Sequence, residues 1–262
     1  ATMGPSVSTL TSGNKIHRAT PMKVTEDAHH PDRPLKTLDP AGYNGTFHRN
    51  EGTLIAERDT AHGRINVFQN TRYRWLEFDD GAVQSAMDRA APDRLVLPYT
   101  PWMLAAFPIA AALDSVTLLG LGGGALARFL SAGEVRQLIA VEYNEAVIDI
   151  ATSLFAISPN MVQMQHMDAR DYLRQPGPPC DVLMCDLFTS GGMPPWSTHP
   201  AFYDDCRQAL AERGMLAVNL LAYDVDQLEE PLFALRQVFD DRVIHTRVPG
   251  TGNVIAFAFV GE

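Results

Sequence analysis

The sequence predicts an α/β protein: a doubly wound, mostly parallel seven-stranded sheet preceded by a small N-terminal antiparallel β-domain. Three observations carry this. From residue 115 onward, apolar runs of strand length alternate with helical segments, the pattern of a parallel sheet covered on both faces. Between residues 53 and 85, short β-rich runs are separated by turn residues with no helix among them. Gly120-Leu121-Gly122-Gly123-Gly124 stands where the first long apolar run gives way to a helical one, the position at which such sheets hold ligands.

Composition bounds the rest. Of 262 residues, 46% are hydrophobic and 20% charged, enough apolar material for one large or two small packed domains. The net charge of −10 argues against nucleic acid, whose binding relies on clustered Lys and Arg, and favours a cationic or small neutral substrate. No run reaches the roughly 18 consecutive apolar residues of a membrane span, and 103–113 is broken by Pro108, so no membrane partner is expected. Cys180, Cys185 and Cys206 show no zinc-site spacing and read as reduced core thiols; no metal is expected.

Residues 1–45, rich in Ser, Thr, Pro and His, read as a flexible arm or leader. The stretch through about Pro21 is set aside from fold reasoning, Met22 offering an alternative start, and His29-His30 reads as part of a solvated arm. The arm lacks the basic start and apolar centre of a secretory signal, so the expected location is cytoplasmic.

The β-domain is expected over 46–91, with strands at 53–57, 64–69, 73–78 and 82–85. His62-Gly63, Asn70-Thr71 and Asp79-Asp80-Gly81 supply the hairpin turns. After a linker at 92–98, the larger domain, 92–262, begins with a strand at 115–121, a helix at 125–132, a strand at 137–143 and a helix at 145–154. Further strands follow at 161–166, 181–186 and 215–220, with helices near 200–212 and 226–239. The last two runs, 242–248 and 254–260, have no helix between them and are expected to pair antiparallel at the sheet edge.

The chemistry is expected at the strand ends. Gly120, Gly122, Gly123 and Gly124 let the backbone approach a nucleoside, or alternatively make only a tight turn. Glu142, about twenty residues further on at the end of the next strand, is placed to accept ribose hydroxyls, an arrangement that suits NAD and S-adenosylmethionine alike; a solvated strand-end carboxylate is the plainer reading. Asp168-Ala169 follows the third strand, where the acid either accepts an adenine amino group or caps the helix opening at Ala169. Asp186 ends the fourth strand beside the loop 187–195. It is the candidate to orient or deprotonate an attacking amine or hydroxyl, or it holds that loop through backbone amides. His166, His199 and Tyr203 are reserve acid/base candidates. No GxSxG or HExxH supports a hydrolase or zinc protease.

From about residue 53 to 262 these features resemble the spermidine synthase-like proteins, a branch of the class I S-adenosylmethionine-dependent methyltransferase fold. Asp79-Asp80-Gly81-Ala82-Val83-Gln84 is similar to the family's "LDGxxQ", and Ala201-Phe202-Tyr203 to its "EFY". The resemblance implies a Rossmann-like domain in which Gln84 faces the nucleoside, Glu142 holds ribose, Asp168-Ala169 contacts adenine and Asp186 opens the catalytic loop. It also implies a donor of the S-adenosylmethionine type and the family habit of a homodimer, for which an exposed edge in the small sheet gives a physical reason. Three departures stand out: Gly123 where the family's "GGGDGG" has Asp, Thr189 at the second Asp of "DxxDP", and Tyr99-Thr100-Pro101 at "YHE".

In the family that missing Asp repels the carboxylate of intact S-adenosylmethionine and attracts the amine of its decarboxylated form. Gly123 therefore leads to the expectation of an intact donor, with methyl or aminocarboxypropyl transfer to a small nucleophilic acceptor such as an amine. The alternative is a polyamine aminopropyltransferase (spermidine synthase) using decarboxylated S-adenosylmethionine. A second alternative is a nucleoside-binding protein without catalysis; a nicotinamide-dependent dehydrogenase is compatible with the glycine loop and Glu142 alone.

Overall fold

A computed structural model describes Phe47, residues 49–133 and residues 135–261; the expected arm, with His29 and His30, lies outside the described residues. The first four strands, β1 (Thr53–Thr60), β2 (Gly63–Gln69), β3 (Tyr73–Phe78) and β4 (Val83–Asp88), form an antiparallel meander in chain order. β1 runs further than the expected 53–57 because the turn tightens around His62-Gly63, with Thr60 opposite Gly63 in register. β4 likewise continues to Asp88, since Tyr73 of β3 still pairs with it there.

Both faces of this small sheet are covered. Ile65, Val67, Leu76 and Met87 pack with Val147, Ile150 and Phe155, while Phe68 stacks on Trp75 with ring centroids 5.7 Å apart. Phe155 is fully buried. Truncating such a ring costs about 3–5 kcal/mol, so this contact is a principal tie between the small sheet and the larger one.

After a short helix α1 (Tyr99–Trp102) and a 3₁₀ turn (Phe107–Ile109), neither expected from sequence, the chain enters a seven-stranded sheet. Its strands are β5 (Ser115–Leu119), β6 (Gln137–Glu142), β7 (Gln163–His166), β8 (Cys180–Cys185), β9 (Leu210–Leu221), β10 (Val243–Arg247) and β11 (Asn253–Phe259). Their order is β10-β11-β9-β8-β5-β6-β7. The five from β9 to β7 are parallel, and β11 runs antiparallel to both β9 and β10, as the missing last helix implied.

Period-two alternation sorts the core. Val116, Leu118, Val182, Met184, Met215 and Ala217 share one core cluster with Leu126, Ala127 and Leu130 of α2 (Ala125–Ser131), and Leu119, Leu183, Cys185, Leu216 and Val218 share another with residues of α4 (Ala169–Leu173), α5 (Pro200–Gln208) and α6 (Asp226–Val238). α3 (Glu145–Leu154) packs under the small sheet. The helix expected over 200–212 stops at Gln208: Cys180 donates its N–H to Ala209 and pairs with Leu210, so residues 210–214 join β9 instead of extending the helix. Among the described residues no helix is long and apolar enough to cross a membrane.

The chain builds β5, β6 and β7 outward on one side, then returns to lay β8 and β9 on the other. The carboxyl ends of β5 and β8 are thus the topological switch point, where a crevice opens.

Candidate functional site

A cavity of about 330 Å³ opens at that switch point, walled by both sheets. The strand ends contribute Gly120, Leu121 and Gly122 after β5, Glu142, Tyr143 and Asn144 after β6, Asp168, Ala169 and Arg170 after β7, and Asp186 to Thr189 after β8. The small sheet adds His62, Leu76, Phe78, Gln84 and Ser85. This volume and mixed lining suit a nucleoside-sized ligand.

The glycine loop is shaped by what surrounds it. Gly120 has φ +96°, and a Cβ there would collide with the carbonyl oxygen of Asp186. Gly124, at φ +73°, opens α2 from the left-handed region, and a Cβ there would strike Ile157. Gly123 and Gly124, expected to line the pocket, are outside the lining. A Cβ on Gly123 would stand 2.8 Å from Ser85 Oγ and 2.9 Å from Phe155 Cδ1, so that position is closed by side chains rather than open toward a ligand. Arg128, buried on α2, holds the loop from behind: its guanidinium donates to the carbonyls of Gly123, Phe155 and Pro92. Burial pulls its pKa down to about 10.

Glu142 is buried at the end of β6. Its Oε2 accepts from the Leu121 amide at 3.1 Å and its Oε1 from the Asn144 amide at 2.9 Å, so it ties the glycine loop to its own strand end. Burial raises its pKa, opposed by these amides and those of Gly122 and Tyr143.

Asp168 realises the capping alternative and more. It accepts from the Arg170 amide at 2.8 Å and from the Arg170 guanidinium at 3.0 and 2.7 Å. Arg170 holds its carboxyl below the usual range, with burial opposing. The same guanidinium lies 4.4 Å over the ring of Trp196, which fastens the loop after β8 to this end of the cavity.

Asp186 stands at the end of β8, half-buried on the cavity wall. Its Oδ2 accepts from Tyr99 OH at 2.9 Å and its Oδ1 from Asn219 Nδ2 at 2.8 Å. Burial pushes its pKa up, and the two donors pull it down. Such a carboxylate, in contact with the cavity and raised toward neutrality, has the chemistry of a general base. Gln84 lines the cavity from β4.

The reserve candidates lie elsewhere. His166 is exposed and bonds the Tyr143 carbonyl, His199 is exposed and caps α5, and Tyr203 is fully buried in the core; none lines the cavity. Three residues that sequence reasoning missed do matter. Tyr99 was named only within a departure from the family's "YHE", with no role given to it, and Asn219 was left inside an apolar run. His62, read only as a turn residue, meets the ring of Tyr143 edge-on at 4.5 Å on the cavity wall. The one visible signal was a lone Asn within the buried, otherwise apolar run 215–220 of β9, since a buried amide must find a partner. Among the described residues, no group of three or more His, Cys, Asp and Glu is placed to hold a metal ion.

No protein-family model matches the chain. The polyamine aminopropyltransferase of Neisseria meningitidis is 29% identical over 200 residues, covering 74% of this chain and 75% of that protein. A probable spermidine synthase from Corynebacterium glutamicum superposes with a TM-score of 0.70 at 20% identity, covering 79% of this chain and 80% of its own. Human methyltransferase-like protein 13, solved with SAH, superposes at 0.58 and 22% identity over 63% of this chain and 83% of its own. The chain is thus similar in sequence to a polyamine aminopropyltransferase and shares a methyltransferase-like fold with the two solved structures.

Proposed function

We propose that the chain is an aminopropyltransferase, moving the aminopropyl arm of decarboxylated S-adenosylmethionine to the nitrogen of a small amine acceptor. The observation that carries this reading is Asp186, a raised carboxylate clasped by Tyr99 and Asn219 beside the glycine loop. The donor's sulfonium supplies a carbon already activated toward nucleophiles; the chain has to bind, align and deprotonate. An acceptor ammonium must shed a proton before its nitrogen can attack, and Asp186 is the group on the cavity wall to take it. Gln84, Gly120, Gly122, Glu142, Asp168 and Ala169 would hold the nucleoside.

Charge supports the choice of donor. Among the described residues three carboxylates, Glu142, Asp168 and Asp186, line the cavity, and Arg170, the one Lys or Arg of that lining, is committed to Asp168. An intact donor would bring a further carboxylate with no free cation in that lining to meet it, whereas the decarboxylated form presents only positive charge. The expectation of an intact donor rested on the Asp missing at Gly123, where Ser85 and Phe155 fill the space; the charge of the described lining weighs against it. The name of the Neisseria relative points the same way.

The test is product analysis by mass spectrometry with putrescine and either donor, alongside calorimetric titration of both donors in one buffer. Methylthioadenosine and an aminopropylated amine from the decarboxylated donor, bound at least about tenfold more tightly, is the expected result. Methylated product, or tighter binding of the intact donor, would overturn the reading.

A further inference from the structure

Behind Asp186 lies a second layer of polar groups that the reaction as described does not use. Asn219 on β9 and Asn253 on β11 are both buried, and their strands are antiparallel neighbours, with Asn253 opposite Leu221 and Ile255 opposite Asn219. Asn253 Nδ2 donates to Asn219 Oδ1 at 2.9 Å, and Asn219 Nδ2 donates to Asp186 Oδ1 at 2.8 Å. The Asn253 backbone is itself held by its N–H to Thr251 Oγ1 at 3.1 Å.

We propose that Asn219 and Asn253 are positioning residues for Asp186, a two-amide relay that presents an N–H donor to one carboxylate oxygen and so fixes the side chain with its other oxygen toward Tyr99. Asn253 spends an N–H on the carbonyl of Asn219, and this leaves the amino group of Asn219 as the end that faces Asp186. An ionised carboxylate only accepts, so the relay matches the anion and opposes the cost of burying it. A flipped Asn219 would turn its carbonyl on the carboxylate and favour the protonated form instead. The remaining titratable groups against Asp186 among the described residues are the Tyr99 phenol from α1, donating to Oδ2, and the Cys185 thiol beneath it on β8, which burial keeps neutral.

The inference rests on reading Asp186 as the acceptor's base, but its test does not need turnover. In the full chain labelled with ¹³C at the aspartate carboxyls, the Asp186 signal, assigned by its loss in Asp186→Asn, is titrated by NMR. Asn219→Leu should move its midpoint up by about one pH unit or more, the loss of one hydrogen bond to a charge. Asn253→Leu, outside the cavity lining, should move it up by less. Because Asn253 acts only through Asn219, its effect should vanish in the double variant. A merely structural asparagine would lower stability without moving this midpoint. Should the leucine variants not fold, Asn253→Ser removes the donor–acceptor match with a small polar side chain and carries the same expectation.

Midpoints unchanged in the folded variants would overturn the relay, as would an Asn253 effect that persists without Asn219. Full turnover in Asp186→Asn would instead overturn the reading of Asp186 as base, leaving the titration result to stand or fall by itself.

Discussion

Gly120 and Asp186 meet back to back across the seam between β5 and β8: a side chain at 120 would run into the carbonyl oxygen of Asp186, and the Asp186 amide donates to Leu119 at 2.9 Å. The loop assigned to the nucleoside and the carboxylate assigned to the acceptor are therefore one piece of backbone geometry. A change at either end is felt at the other, which gives the predictions below their form.

Asp186→Asn should lower turnover by about 10²-fold or more, the usual contribution of a positioned base. Decarboxylated donor should still bind within about twofold of the parent chain by calorimetry, because the glycine loop and Glu142 are untouched. Equal loss of binding and turnover would make Asp186 a structural prop.

Stability should fall as pH rises from the ordinary carboxylate range into neutrality. Burial raises both Asp186 and Glu142 in the folded chain, so the native state holds their protons more tightly than the unfolded one. Stability then declines between the unfolded and folded pKa values, by about 1.4 kcal/mol for each pH unit that separates them. Asp168, held low by Arg170, acts in the opposite sense and only at more acid pH. Asp186→Asn removes one of the raised acids, so its melting temperature should gain on the parent from pH 4 upward and then level off. Parallel melting curves from pH 4 to pH 8 would contradict this.

Gly123→Asp should destabilise the chain by about 1–3 kcal/mol in urea unfolding, the range for overpacking a filled site. The added Cβ meets Ser85 and Phe155 within 3 Å. Ser85→Gly in the same chain should return part of the loss, since Ser85 supplies two of the three closest atoms. A single variant as stable as the parent would show the space to be open after all.

Glu142→Gln leaves one carboxylate position facing a backbone N–H with an amide NH₂. Either Leu121 or Asn144 then loses its acceptor. Donor affinity should drop by about tenfold or more as the loop after β5 loosens, the effect of about 1–3 kcal/mol from one buried unpaired donor. Unchanged affinity would confine Glu142 to a passive place on the wall.

The parts of the site that could be read from the sequence share one property: each follows directly on a run of strand residues. Gly120, Glu142, Asp168 and Asp186 all sit within a residue or three of a strand's carboxyl end, and local periodicity finds such ends without knowing which strands are neighbours. The helix that stopped at Gln208 instead of 212 shows the limit of that signal. Residues 210–214 are polar enough to look helical, and the pairing of Leu210 with Cys180 at the start of β8 decides otherwise.

Sequence alone determined the α/β class, the two sheets, the antiparallel edge and the four strand ends where chemistry collects, because these follow from short-range patterns of apolar and turn residues. Tertiary structure alone decided that Gly123 faces a filled space, that His166, His199 and Tyr203 stay out of the cavity, and that Asp186 is gripped by Tyr99 and Asn219. Those partners lie 87 and 33 positions away. The physical reason is strand order: β8 is inserted beside β5 and β9 beside β8, and only that arrangement brings a helix before the sheet and an asparagine near its end onto one carboxylate.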